Sequence, residues 1–289
     1  MPSAHVNGID IEFETTGDPA HPPLLLVMGL GAQLTTWPET FVELLAARGF
    51  FVIRYDNRDS GLSTKFEGTP DFGALFSGDG ASAAYLIEDM ANDGVALLTD
   101  LGIERAHVVG VSMGGMITQA MVIAHPERFV SACSVMSTTG DRSVGQPTVE
   151  AATALLRPPA TNRADAIAAS VVGSRAISSP GYPFDEAYMT ERAAALYDRS
   201  YSPDGTARQL GAILASPDRT TALGGVKIPF LVMHGEADPL VQVSGGQATA
   251  AAVPGSKLIL FAGMGHDLPE PLWGEMIDAI VANTELAAV

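Results

Sequence analysis

Apolar residues fall along this chain in short uninterrupted runs separated by stretches of helical periodicity. The opening is different. In Val6-Asn7-Gly8-Ile9-Asp10-Ile11-Glu12-Phe13-Glu14 an Asn-Gly pair precedes strict apolar/polar alternation, which predicts a β-hairpin with one buried face. Pro23-Leu24-Leu25-Leu26-Val27-Met28 does not alternate, as expected of a strand covered on both faces, and it ends in Gly29-Leu30-Gly31. A helix is predicted from Trp37-Pro38 to Arg48, with Pro38 in its first turn. Phe50–Tyr55 is the next strand and runs into the polar turn Asp56-Asn57-Arg58-Asp59-Ser60-Gly61-Leu62-Ser63. Residues 64–80 read as a glycine-rich loop. Between Ser82 and Leu101, Leu86, Met90, Val95 and Leu98 recur at helical spacing. Ala106–Val111 is an apolar strand, followed by a helix to His125 that Pro126 halts, and by a strand around Val130–Met136.

This alternation of strand and helix predicts a parallel sheet with helices on both faces. It breaks over residues 140–224, where no strand is evident. Alanine-rich helical stretches near 149–156, 163–171, 185–199 and 205–215 are separated there by Pro158-Pro159, Ser179-Pro180-Gly181 and Ser202-Pro203. Such an excursion is too long for a connection and reads as a helical cap over the sheet. Ile228–Met233 (strand), Val241–Ala252 (helix), Lys257–Phe261 (strand) and Leu272–Asn283 (helix) then resume the pattern. The expected organisation is a core of residues 1–139 and 225–289 with a cap of residues 140–224.

Composition bounds the function. With 289 residues, 47% of them hydrophobic, the chain can bury a sizeable core. Its 33 acidic against 16 basic residues give a formal charge of −17, which repels nucleic acid and anionic membrane surfaces. No apolar run approaches the roughly 20 residues of a membrane span, and the N-terminus lacks the basic and apolar regions of a secretory signal. The single cysteine, Cys133, excludes an intrachain disulfide and fits a reducing compartment, so a cytoplasmic location is expected. Cys133 lies in an apolar strand pattern, where a packing role is expected.

The candidate chemistry centres on Gly110-Val111-Ser112-Met113-Gly114. Between a strand and a helix, this pattern makes Ser112 the apex of a sharp elbow, with its hydroxyl raised above the sheet. Side chains at positions 110 or 114 would clash there. In an open parallel sheet, ligands bind beyond the carboxyl ends of the strands, and partners for Ser112 are sought in those loops. Six histidines are available as the base. His5 and His21 lie near the hairpin, His107 at the wrong end of its strand and His125 at the end of a helix. His234 ends a strand just before Gly235-Glu236-Ala237-Asp238, where it would compete with the acid for one loop. His266, in the glycine loop Gly263-Met264-Gly265-His266-Asp267, is the preferred base. Asp238 is the preferred orienting acid, with Glu236 and Asp141 as rivals. The backbone N–H groups of Leu30 and Met113 are the expected oxyanion donors. Arg58 reads either as a substrate clamp or, preferably, as a structural ion pair with Asp56 and Asp59.

Over essentially its whole length the chain resembles the α/β-hydrolase fold superfamily, and within it the bacterial esterases related to aclacinomycin methylesterase. The carrying segments are Val27-Met28-Gly29-Leu30-Gly31, Arg54-Tyr55-Asp56-Asn57-Arg58-Asp59-Ser60-Gly61, Gly110–Gly114, Gly263-Met264-Gly265-His266 and Tyr182-Pro183-Phe184-Asp185. The resemblance implies an α/β-hydrolase fold with an inserted helical cap and a triad of Ser112, Asp238 and His266. Met28-Gly29 stands where many members carry His-Gly. A serine at the elbow argues against the epoxide hydrolases and haloalkane dehalogenases, which use aspartate there. The expected function is a serine carboxylesterase needing no metal or cofactor and acting on a small or apolar ester. Gly29, Tyr182, Tyr188 and Leu240 are candidate substrate contacts, although packing accounts for most of the cap aromatics. Methyl-ester or lactone hydrolysis in secondary metabolism, perhydrolysis, and a ligand receptor on a hydrolase scaffold are the alternatives. No nucleic-acid or membrane partner is expected, and a homodimer is compatible with the sequence.

Overall fold

The computed structural model describes residues 2–288. The opening hairpin pairs β1 (Ser3–Val6) with β2 (Ile9–Thr16). Asn7 and Gly8 both take positive φ, 51° and 78°, the backbone that lets a two-residue turn match strand twist. The first half of the molecule continues with β3 (Pro23–Val27), α1 (Glu39–Ala47), β4 (Phe51–Tyr55), α2 (Phe72–Ser77), α3 (Ile87–Asp100), β5 (Ala106–Val111), α4 (Met113–Ala124) and β6 (Phe129–Val135). Three long helices and two short ones follow without a strand: α5 (Val149–Leu155), α6 (Arg163–Ile177), α7 (Glu186–Arg199), α8 (Pro203–Ala215) and α9 (Thr220–Leu223). The chain then forms β7 (Phe230–Gly235), α10 (Ser244–Ala252), β8 (Lys257–Phe261) and α11 (Trp273–Glu285).

The strands make one 8-stranded sheet in the order β1-β2-β4-β3-β5-β6-β7-β8. The first two pairings are antiparallel and all the others parallel. Because successive side chains of a strand point to opposite faces, the unbroken apolar runs feed two cores. Leu25, Val27 and Val108 pack with α3 and α4 on one face. Leu24, Leu26, Val109 and Cys133 pack with Trp37, Phe41, Met276 and Ile280, from α1, its approach and α11, on the other. Among the described residues no helix is long and apolar enough to cross a membrane.

Local hydrogen bonding moves several boundaries. The stretch 64–80, expected as loop, contains α2, because the Asp71 carboxylate accepts from the Ala74 N–H and Gly78 (φ 94°) closes the far end. The helix expected from Ser82 starts at Ile87, where the Asp89 side chain accepts from the Leu86 N–H. The helix expected from Val241 starts at Ser244, since the Asp238 carboxylate takes the N–H groups of Leu240 and Val241.

The strand-to-helix junction at Ser112 sets the height of everything around it. A β-carbon at Gly114 would stand 2.1 Å from the Val27 carbonyl oxygen, and one at Gly110 2.0 Å from the Gly114 carbonyl oxygen. Both are backbone obstacles that cannot rotate away. Gly114→Ala is therefore expected to force α4 off β3 and to cost about 2–3 kcal/mol. Urea denaturation checks this, and an unchanged unfolding midpoint would contradict it.

Candidate active site

Ser112 sits between β5 and α4 with φ 57° and ψ −122°. That is a strained backbone for a residue carrying a β-carbon. Its N–H donates to the Val135 carbonyl at 2.9 Å, and its carbonyl accepts from the Gly115 N–H at 2.9 Å. The elbow is thus pinned to β6 on one side and to the first turn of α4 on the other. The hydroxyl projects toward the loop after β8. There Ser112 Oγ lies 2.9 Å from His266 Nε2, and His266 Nδ1 lies 2.7 Å from Asp238 Oδ2. The other carboxylate oxygen, Asp238 Oδ1, accepts from the N–H groups of Leu240 (2.8 Å) and Val241 (2.9 Å). His266 and Asp238 are both buried.

The rivals lie elsewhere. Asp141 folds back on its own turn, accepting from the Ser143 N–H, and Glu236 is exposed. His5 pairs with Asp10, His107 with Ser131 and His125 with Asn92, while His21 is exposed. His234 is fully buried behind Asp238. Burial pushes its imidazole below the ordinary histidine value, against the hydrogen bond to Val241 and the field of Asp238.

Leu30 follows Gly29, which abuts Ser112, and Met113 follows the serine itself. A β-carbon at Gly29 would meet Ser112 Cβ at 3.1 Å, so the Gly29-Leu30 backbone lies directly against the serine. Met113 is the first residue of α4, where an N–H has no partner within the helix and faces the positive end of its dipole. The neighbouring N–H, that of Gly31, is taken by Gln209 Oε1 at 2.7 Å. Of the remaining candidates, Leu240 touches Asp238 through its N–H. The Tyr182 hydroxyl donates to the Ala262 carbonyl at 3.3 Å, and Tyr188 is 49% exposed on α7. Tyr197 and Tyr201 stack at 4.7 Å and line a cavity of about 190 Å³ with Gly31, Ser60 and Thr206.

The loop carrying His266 is not the free glycine loop its composition suggests. The His266 N–H donates to the Ile177 carbonyl at 2.8 Å, and the Gly181 N–H to the Gly263 carbonyl at 2.9 Å. Ser179 Oγ accepts from the Gly265 N–H at 2.8 Å and donates to the Asp267 carboxylate. Burial raises the Asp267 carboxyl above the usual carboxylate range, partly offset by these Ser179 bonds. The end of α6 and the turn after it therefore hold the histidine loop.

The ion pairing expected for Arg58 is corrected. Arg58 pairs with Asp93 of α3, at 2.6 and 2.7 Å, and its guanidinium lies about equally close to the rings of Phe66 and Tyr85, 5.1 and 5.0 Å from their centroids. Neighbouring carboxylates on a tight turn point to different sides, and Asp56 and Asp59 reach arginines of the inserted helices instead. Asp56 Oδ2 lies 2.8 Å from Arg199 of α7. Asp59 takes Arg208 of α8 in a two-pronged pair at 2.9 and 2.7 Å, with the Tyr85 hydroxyl donating to it at 2.6 Å. Gln33 adds bonds to the Leu196 and Ser200 carbonyls, and Gln209 donates to the Arg58 carbonyl. Arg199, Arg208, Gln209 and Ser179 were not singled out from the sequence. The one available signal is that two acids in a single folded-in turn require cations from elsewhere in the chain.

The sheet order, the elbow and the convergence of three strand-end loops define an α/β hydrolase. A family model described as "alpha/beta hydrolase fold" matches residues 22–270, and the chain belongs to that family. It is similar to rhodomycin D methylesterase DauP of Streptomyces sp. (strain C5), at 28% identity over 96% of this chain and 95% of the relative. It is also similar to rhodomycin D methylesterase DnrP of Streptomyces peucetius, at 28% identity over 100% of both chains. Among solved structures, the enol-lactonase from Burkholderia xenovorans LB400 superposes with a TM-score of 0.77 at 24% identity, covering 98% of this chain and 100% of that one.

The buried Asp59–Arg208 pair yields a prediction. Asp59→Ala strands a guanidinium that is 4% exposed, and is expected to cost about 3–5 kcal/mol. Arg163→Ala, which opens the exposed pair with Asp198, is expected to leave stability unchanged. Chemical denaturation of both variants checks the contrast; equal midpoints would contradict it.

Proposed function

We propose that this hydrolase is a serine carboxylesterase working through an acyl-enzyme, with Ser112 as nucleophile, His266 as base and Asp238 as orienting acid. The observation that carries the reading is the continuous hydrogen-bonded line from Ser112 Oγ through both imidazole nitrogens to Asp238 Oδ2. With Asp238 accepting at Nδ1–H, His266 presents an unprotonated Nε2 to the serine hydroxyl. Ser112 Oγ attacks the ester carbonyl as its proton passes to Nε2. The oxyanion is received by the N–H groups of Leu30 and Met113, each worth about 2–4 kcal/mol in the transition state. The imidazolium returns the proton to the departing alcohol. Water then enters, is deprotonated by the same nitrogen, and releases the acid from Ser112.

Methyl esters are the favoured substrates within this reading. Two full-length relatives are methylesterases, and methanol as the leaving alcohol asks for little room. The helices α5–α8, in their proposed role as a cap, shield the acyl-enzyme from bulk water.

Ser112→Ala is expected to lower kcat/KM on a chromogenic short-chain ester by at least about a thousandfold. A panel of methyl, ethyl and butyl esters of one aromatic acid is expected to be hydrolysed fastest at the methyl ester. An unimpaired Ser112→Ala protein would overturn the mechanism, and a preference for butyl would overturn the substrate class.

A further inference from the structure

His234 is the penultimate residue of β7, four residues before Asp238, and its side chain is wholly excluded from solvent. Its Nε2 lies 2.7 Å from the Val241 carbonyl oxygen. A carbonyl only accepts, so Nε2 carries the proton; burial, which disfavours the charged ring, and an Nδ1 with no acceptor beside it make the ring the neutral Nε2–H tautomer. The same nitrogen stands 3.5 Å from Asp238 Oδ2, the oxygen that meets His266 Nδ1 at 2.7 Å. That distance is too long for a full hydrogen bond, yet it places a positive hydrogen against the back of the carboxylate. The other nitrogen, Nδ1, is buried with no partner. The ring is packed tightly: a β-carbon at Gly246 of α10 would stand 2.4 Å from Nδ1.

Packing alone does not account for an imidazole here. A leucine or phenylalanine would fill comparable space without burying an orphan acceptor, which costs stability. What only the imidazole supplies is the Nε2–H. It holds the Val241 carbonyl while the Val241 and Leu240 N–H groups hold Asp238 Oδ1. The turn 238–241 is therefore gripped from both sides of one peptide segment, and the remaining oxygen, Oδ2, is left aimed at His266.

We propose that His234 is a positioning residue for the reaction: through the Val241 carbonyl it fixes the 238–241 turn, and so the direction in which Asp238 presents Oδ2 to His266. It touches neither substrate nor the reacting atoms. The proposal rests on the serine-esterase reading above, in which the Asp238–His266 contact sets the tautomer and aim of the base.

The test compares the parent with Ser112→Ala, His234→Asn and His234→Gln on a chromogenic short-chain ester, with melting temperatures measured alongside. The glutamine amide nitrogen reaches the place of Nε2, whereas the shorter asparagine amide reaches only that of Nδ1. His234→Asn is expected to lose about tenfold in kcat, the effect of one hydrogen bond, with KM within about twofold of the parent. His234→Gln is expected to recover at least about half of the parent kcat. Should the asparagine protein not fold, His234→Leu replaces it with the same expectation, since it fills the space without a donor. Equal kcat in the glutamine and donor-less proteins, with any difference confined to melting temperature, assigns His234 to packing and overturns the proposal. An inactive Ser112→Ala beside a fully active His234→Asn overturns it while leaving the esterase reading intact. A fully active Ser112→Ala overturns the reading itself.

Discussion

The site depends on how closely the first turn of α4 approaches the end of β3. Gly114 sits against the Val27 carbonyl and Gly110 against the Gly114 carbonyl, so side chains are excluded at both points. That approach brings Gly29 against Ser112, where a β-carbon would stand 3.1 Å from the serine's own. It also holds Ser112 at φ 57°, a conformation costing on the order of 1–3 kcal/mol. The cost is sustained by neighbours that over-determine the backbone: the bond to Val135, the first turn of α4, and the sheet beneath. Relaxing the elbow would lower Ser112 into the turn and open the gap to His266. The strained backbone and the short distance from Ser112 Oγ to His266 Nε2 thus belong to one geometry.

The inserted helices are attached by a different kind of interaction. Asp56 and Asp59 each act as a hub. Asp56 accepts from the Leu34 and Leu62 N–H groups and meets Arg199. Asp59 accepts from the Phe66 N–H and the Tyr85 hydroxyl and meets Arg208. Buried pairs of this kind add little net stability over well-packed hydrophobic residues, because both charges lose their hydration. Breaking one is expensive, however, so any other placement of α7 and α8 leaves a charge stranded. The pairs therefore select a position more than they add stability. That position brings Gln209 onto the Gly31 N–H and the Arg58 carbonyl, steadying the loop next to Ser112.

Much of this was legible in the sequence, for physical reasons. Strands covered on both faces must be continuously apolar, so Pro23–Val27 and Ala106–Val111 announce themselves. The Gly110–Gly114 spacing reports a steric requirement, and Asp238 and His266 follow from their places at strand ends. Boundaries governed by side-chain capping were less visible. Asp71 and Asp89 begin helices that periodicity alone misplaces, and Asp238 delays α10 by occupying two N–H groups. Long-range ion pairing was the least legible. Arg58 beside Asp56 and Asp59 reads as a local pair, yet a tight turn fans its side chains apart. Nothing in the sequence assigns Arg58 to Asp93, or the two acids to Arg199 and Arg208, because those contacts exist only once the helices have docked.

The inserted helices reach the loop that carries His266. Two main-chain bonds, His266 N–H to the Ile177 carbonyl and Gly181 N–H to the Gly263 carbonyl, and one from the Gly265 N–H to the Ser179 hydroxyl tie residues 263–266 to the end of α6 and the turn after it. Without them the loop after β8 would carry two glycines and little to restrain it, and glycine loses more conformational freedom on ordering than any other residue. The imidazole would then sample many orientations, of which only a few align with both Ser112 and Asp238. The insertion thus supplies order to the proposed base, beyond any walls it gives to a substrate pocket. A change between residues 177 and 181 therefore also acts on the loop that carries the proposed base.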